Sequence, residues 1–95
     1  MPKLGSITKY NLTDHARDEM TRRQITEADV ANVLAAPEQT ETVRTGRAVY
    51  QSRLEIGVPP KAYLLRVLVD TIRDPPDVVT AYRTSKVEKY WRAEL

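Results

Sequence analysis

One apolar run near the middle of the chain, YLLRVLVD at residues 63–70, constrains the fold more than any other stretch. Proline pairs at 59–60 and 75–76 bound this run, and its β-branched and long aliphatic residues are typical of a strand that is buried on both faces. Arg66 interrupts the run. A guanidinium group keeps its charge when it is buried, so this residue must be paired or must face water.

Side chains alternate between the two faces of a strand. Tyr63, Leu65, Val67 and Val69 therefore share one face, and Leu64, Arg66, Leu68 and Asp70 share the other. We predict that this strand lies at the centre of a sheet, with one face in the core and the other lining a partly open groove around Arg66. An ion pair with Asp70, or with a carboxylate on a neighbouring strand, is the structural alternative for Arg66.

The length and composition restrict the class of protein. A chain of 95 residues suffices for one modest core, so we predict a single domain over residues 1–95. Hydrophobic residues at 41% and charged residues at 29% fit a globular chain, and the absence of cysteine excludes disulfides and thiolate metal sites. The opening MPKLGSITKY has no apolar signal segment, and no run approaches the ~20 residues that span a bilayer. We expect a cytoplasmic protein that does not contact membranes.

The first third of the chain predicts helices and the remainder predicts strands. A weak edge strand over residues 7–10 precedes a helix over 14–23, capped by Thr13 or Asp14, and a second helix from Thr26 to about Ala36. Strands follow at 41–44 and 47–54 around the turn Thr45-Gly46, then at 63–70 and 78–84, and a short helix covers 86–93. The prediction is an α+β fold with two N-terminal helices on one face of a roughly four-stranded, mainly antiparallel sheet and a short C-terminal helix.

Five segments together resemble a bacterial family of domains of unknown function. They are LTDHARDEM at 12–20, RRQIT at 22–26, Gly-Arg-Ala-Val-Tyr-Gln-Ser at 46–52, YLLRVLVD at 63–70 and VVTAYRTSKVEKYW at 78–91. The chain departs from the family pattern at Glu19, where a basic residue is frequent, and at Gln24, where glycine is usual. That family is grouped by fold with small ribonuclease toxins of the RelE, BrnT and colicin type. The resemblance implies a RelE-like or barnase-like fold and an endoribonuclease activity.

Metal-independent RNA cleavage requires proton transfer and positive charge at the phosphate. His15 is the one histidine and can act as base or acid. Arg66 can hold the phosphate, and Tyr82 can orient the phosphate or stack on a base. These three are the predicted catalytic residues. The predicted substrate-binding residues are Tyr50, Thr80, Arg23, Lys86 and Lys89. Packing, capping and solvation are the competing roles for these side chains other than Arg66, whose alternative is the ion pair named above.

Two hypotheses follow for function. The first is a metal-independent endoribonuclease, the toxin of a toxin–antitoxin pair, that acts on RNA alone or on the ribosome and has a protein antitoxin as partner. It predicts that His15, Arg66, Thr80 and Tyr82 converge on one side of the sheet. The second is a non-catalytic module that binds RNA or a protein through the exposed sheet face. No cofactor or metal is expected, since the single histidine, the widely spaced glycines and the scattered carboxylates match no such site.

Overall fold

The computed structural model describes residues 5–92, which form a five-stranded sheet and three helices. The elements are β1 (Asn11–Leu12), α1 (Asp14–Arg22), α2 (Glu27–Ala35), β2 (Gln39–Arg44), β3 (Arg47–Ile56), β4 (Lys61–Asp70), β5 (Asp77–Thr84) and α3 (Val87–Tyr90). This is the predicted α+β fold. No helix in the described part of the chain is long and apolar enough to cross a membrane.

The strand order in the sheet is β1-β5-β4-β3-β2, so β4 is the central strand, as predicted. The β2–β3 hairpin forms around Thr45-Gly46, and β3, β4 and β5 continue as antiparallel neighbours. The sheet is mixed because β1 adds to it, parallel to β5. The predicted strand over residues 7–10 is wrong in position. Ile7 and Tyr10 pack against the core instead, and the pairing begins at Asn11.

Both N-terminal helices have the predicted caps. The Thr13 hydroxyl accepts a hydrogen bond from the Ala16 amide, and the Thr26 hydroxyl accepts one from the Asp29 amide. Helix α1 ends at Arg22, and Gln24 two residues later adopts the left-handed conformation, with a φ of +56°. The Ile25 amide then donates back to the Met20 carbonyl, which closes the helix end.

The core lies between the two helices and one face of the sheet. Tyr50, Leu65, Val67, Val69 and Ala81 supply the sheet side of this core. The helical side consists of Ala16, Met20, Ile25, Val30, Val33 and Leu34. The alternation predicted for β4 is therefore confirmed for its apolar face. We call this the helix face of the sheet.

The opposite face, here called the polar face, is partly covered, and Arg66, Thr80 and Tyr82 on it are half-buried. The C-terminal turn, which comprises α3 and the following Trp91 and Arg92, lies over it, and α3 contacts β4. Val49 and Leu64 are buried on this face. Helix α3 is shorter than the predicted helix over 86–93, because it ends at Tyr90 and Trp91 takes an extended conformation. Residue 93 lies outside the described residues.

Candidate functional site

A row of four polar side chains crosses the polar face of the sheet. Gln39, Gln51, Arg66 and Tyr82 stand directly opposite one another on β2, β3, β4 and β5. Neighbouring members are hydrogen-bonded, because Gln51 Nε2 donates to Gln39 Oε1 at 2.9 Å and Arg66 donates in both directions. The row thus forms one chain of hydrogen bonds across four strands.

Arg66 is the centre of this row. Its Nε donates to Gln51 Oε1 at 2.9 Å, and its Nη1 donates to the Tyr82 hydroxyl oxygen at 2.6 Å. The guanidinium carbon lies 4.2 Å from the centroid of the Tyr90 ring, and the Tyr82 and Tyr90 rings meet edge to face. Since Tyr82 accepts from Arg66, its own hydroxyl hydrogen is left to donate to another group. The pairing of Arg66 with the polar side of β5 confirms the predicted alternation.

The electrostatic environment sets Arg66 apart from most other arginines. Six arginines of residues 5–92 form ion pairs with carboxylates: Arg17, Arg22, Arg23, Arg53, Arg73 and Arg92. Arg66 forms none there, and its partners are an amide, a hydroxyl and aromatic rings. The predicted alternative, an ion pair with Asp70, does not form. Asp70 is four residues away on the same strand, about 13 Å, and accepts from the Ile72 amide.

The C-terminal turn covers the row through polar contacts. Gln39 accepts from the Arg92 amide at 3.1 Å and donates to the Arg92 carbonyl, and Gln51 donates to the Tyr90 carbonyl at 3.3 Å. The Arg92 side chain pairs with Glu41 at 2.6 Å. Arg53 stacks on the Trp91 ring at 4.1 Å. Alternate residues of β2 (Gln39 and Glu41) and of β3 (Gln51 and Arg53) therefore hold the turn in place over the site.

Thr80 and Arg23 lie beside this row, at the edge of the sheet. Thr80 is two residues from Tyr82 on β5, so both side chains are on the polar face, about 7 Å apart along the strand. Arg23 Nη1 donates to the Ala81 carbonyl at 2.9 Å and contacts the Thr80 hydroxyl at 3.4 Å. Its other nitrogen pairs with Glu19. Arg23 thus uses its charge to join α1 to the edge of β5.

His15 does not join the group on the polar face. Helix α1 packs on the helix face, and the His15 side chain is 70% exposed and 3.7 Å from Glu19. Glu19 also contacts Arg22 and Arg23. The predicted convergence therefore holds for Arg66, Thr80 and Tyr82 but not for His15. Among residues 5–92, polar contacts link His15 to the polar face through Glu19 and Arg23, and Arg23 contacts the Thr80 hydroxyl.

The remaining predicted substrate-binding residues occupy three different environments. Tyr50 is 3% exposed on the helix face, where burial raises the pKa of its hydroxyl, so its ring offers no surface to RNA. Lys86 and Lys89 are exposed on and beside α3. Lys89 Nζ lies 5.4 Å from the Tyr90 centroid, close to the site, whereas the Lys86 amide donates to Thr84 Oγ1.

Gln39, Gln51 and Tyr90 are the site residues that the sequence prediction missed. A glutamine in a strand carries no signal of its own, and its neighbour across the sheet is known only once the register is known. The chemistry of the assembled group is that of an anion site, since Arg66 offers an uncompensated charge and Tyr82 offers a proton. Within residues 5–92, no three histidine, aspartate or glutamate side chains are grouped to hold a metal ion.

Comparison with known proteins supports the resemblance to a family of domains of unknown function. The family described as "Domain of unknown function (DUF4258)" matches residues 12–83, which include α1, α2 and all five strands except the first residue of β1 and the last of β5. Searches of curated proteins and of solved structures find no match. The matched range covers well over half of the chain, and the chain therefore belongs to the DUF4258 family.

Proposed function

We propose that this protein is an endoribonuclease that binds an RNA phosphate at Arg66 and cleaves the chain without a metal ion. One observation carries the proposal. Arg66 is half-buried and held by neutral partners, and no carboxylate in residues 5–92 balances its charge. A partly desolvated cation without a counterion favours an anionic ligand, and a guanidinium suits the geometry of phosphate oxygens.

The proposed reaction is attack of a ribose 2′-hydroxyl on the adjacent phosphorus. The bond from phosphorus to the 5′-oxygen breaks, which leaves a 2′,3′-cyclic phosphate and a 5′-hydroxyl. A non-bridging phosphate oxygen takes the proton of the attacking hydroxyl, and Tyr82 donates its proton to the 5′-oxygen. The protonated phosphate then returns a proton to Tyr82. Arg66 stabilises the charge that grows on the phosphate oxygens.

This assignment changes the role that the sequence suggests for His15. On the polar face, Arg66 and Tyr82 are in direct contact, whereas His15 lies on α1 at the other side of the sheet. We therefore expect His15 to be dispensable. The identification of the enzyme as a toxin with a protein antitoxin, acting on free RNA or on ribosomes, is part of the proposal and derives from the family resemblance alone.

The test is single-turnover cleavage of a labelled structured RNA by purified protein in the presence of a chelator. We expect Arg66→Ala and Tyr82→Phe each to slow cleavage by about a hundredfold or more, since each removes a group that acts in the transition state. His15→Ala should change the rate by less than about threefold, well below the effect of a proton-transfer group. Tyr63→Phe is the matched control, because it removes a tyrosine hydroxyl from the helix-face side of β4.

A loss of cleavage in His15→Ala that equals the loss in Arg66→Ala would contradict this assignment. A second function, a non-catalytic RNA-binding module, is favoured by the Tyr90 ring, which covers the Arg66 guanidinium at 4.2 Å. It predicts binding that weakens with salt and that Arg66→Ala reduces, with no cleavage of free RNA or of RNA on ribosomes.

A further inference from the structure

We propose that Gln51 is a positioning residue that fixes the Arg66 guanidinium and leaves its charge uncompensated. The inference rests on the proposed function, because it concerns the same anion site. Gln51 is 2% exposed and stands opposite Arg66 in the β3–β4 ladder. Its amide oxygen accepts from Arg66 Nε at 2.9 Å.

The orientation of the Gln51 amide is determined from both ends. Arg66 is a donor only, so the atom that faces its Nε must be the amide oxygen. The amide nitrogen then faces two acceptors, Gln39 Oε1 at 2.9 Å and the Tyr90 carbonyl at 3.3 Å. Gln39 Oε1 accepts in turn from the Arg92 amide. Each polar atom of this buried side chain has a partner, and the amide is therefore locked.

Glutamine suits this position better than its two closest substitutes. A glutamate would fill the same space, but its charge would neutralise Arg66, and its second oxygen would face the Gln39 oxygen and the Tyr90 carbonyl. A leucine would leave Arg66 Nε without its acceptor, free to rotate away. Only a neutral acceptor with a donor behind it holds the guanidinium and keeps its charge for a ligand.

Tyr82 completes the arrangement from the other side. Arg66 Nη1 donates to the Tyr82 hydroxyl at 2.6 Å, so two nitrogens of the guanidinium are held by side chains on two neighbouring strands. In residues 5–92, Nη2 makes no hydrogen bond, and it is the nitrogen that we assign to the phosphate. Because the guanidinium is planar and two of its nitrogens are held, the third nitrogen points in a fixed direction. This is the requirement for a preorganised anion site.

The first experiment follows the Arg66 Nε–H resonance by NMR in 15N-labelled protein without RNA. We expect its hydrogen exchange to be slow in the wild type and in Gln51→Glu, and at least tenfold faster in Gln51→Leu. Equal exchange rates in the wild type and Gln51→Leu would overturn the positioning role. If Gln51→Leu does not fold, Gln51→Asn replaces it, because the shorter amide cannot reach Arg66.

The second experiment measures binding of a 2′-O-methyl RNA oligonucleotide, which lacks the attacking hydroxyl and cannot be cleaved, over a series of salt concentrations. We expect Gln51→Glu to bind at least tenfold more weakly, with the slope of log affinity against log salt reduced by about one phosphate contact. Gln24→Glu is the control, because it makes the same change of charge on an exposed residue next to α1. It should weaken binding by less than about threefold.

A double mutant decides whether Gln51 acts through Arg66. In the Arg66→Gln background, Gln51→Glu should weaken binding no further than about twofold. An equal loss in both backgrounds would show a general charge effect and would overturn the inference. No binding by the wild type would overturn the proposed function instead, while the NMR measurement would still decide whether Gln51 places Arg66.

Discussion

Different interactions organise the two faces of the sheet, although the same strands form both. On the helix face, Leu65, Val67 and Val69 of β4 pack against two helices in a continuous apolar core. On the polar face, the intervening Arg66 belongs to a row of hydrogen-bonded side chains that a single helical turn covers. One face holds the fold through apolar burial, and the other holds a guanidinium in a fixed position.

The difference indicates how a small domain can carry a site without losing its core. A hydrogen-bonded polar row contributes little net stability, because each hydrogen bond replaces one to water, but it specifies one arrangement of its members. The helix face supplies the stability that this arrangement requires. Binding and chemistry can then vary on the polar face, while the core stays unchanged.

The largest expected effect tests this division with two neighbouring leucines. Leu64 and Leu65 are both fully buried, on the polar and the helix face respectively. Leu65→Ala should lower the free energy of unfolding by about 3–5 kcal/mol, because the helices and sheet cannot close around the cavity. Leu64→Ala should cost about 2 kcal/mol, because the C-terminal turn can settle into the space. Urea unfolding of the two variants measures both values.

Equal losses of unfolding free energy in the two leucine variants would contradict the comparison, because they would show that the C-terminal turn is as rigid a cover as the helices. Hydrogen exchange provides the control. In Leu64→Ala, the amides of residues 87–92 should exchange faster than in the wild type even when urea is added to the wild type to match the two global stabilities. In Leu65→Ala, exchange should rise throughout the domain.

The sequence predicts most of the fold because local signals determine it. The threonine caps, the Thr45-Gly46 turn and the alternation in β4 each depend on a few neighbouring residues. The predicted edge strand is misplaced because a two-residue parallel pairing at Asn11 has no pattern of its own. The side of the sheet that carries Arg66, Thr80 and Tyr82 is also predictable, since parity alone assigns it.

The remainder of the site depends on long-range register, which the sequence does not determine. Gln51 meets Arg66 only because the loop between β3 and β4 sets which residues pair, and the residues of that loop match no standard two-residue hairpin turn that would reveal the register. Tyr90 reaches Arg66 through the path of a short C-terminal turn, which no periodicity indicates. Chemistry alone groups His15 with Arg66, and the position of α1 on the helix face separates them.

A smaller effect tests the helix side of the comparison at Gln24. This residue follows α1 in the left-handed region, with a φ of +56°. Gln24→Gly should raise the free energy of unfolding by about 1 kcal/mol, because a residue with a Cβ is strained there. Thermal unfolding should show a rise in Tm of about 4–8 °C. Gln24→Ala keeps the Cβ and is the control, and a similar rise in that variant would contradict the explanation.

The smallest effect concerns the polar face, where Glu38 joins Arg53, the residue stacked on Trp91. Hydrogen bonds from the Arg53 side chain and amide hold the pKa of Glu38 below its ordinary value. A lowered pKa in the folded state means that the stabilisation is complete above the unfolded pKa, near 4.5, and is lost as the pH falls through the lower folded value. Wild type should therefore exceed Glu38→Gln in Tm by about 1–4 °C at pH 7, as for a solvent-screened pair, and the gap should narrow as the pH falls below 4.5. Glu55→Gln, at an exposed residue of β3, should show no such gap. A gap for Glu38→Gln that is as large at pH 3 as at pH 7 would exclude the carboxylate charge as its cause.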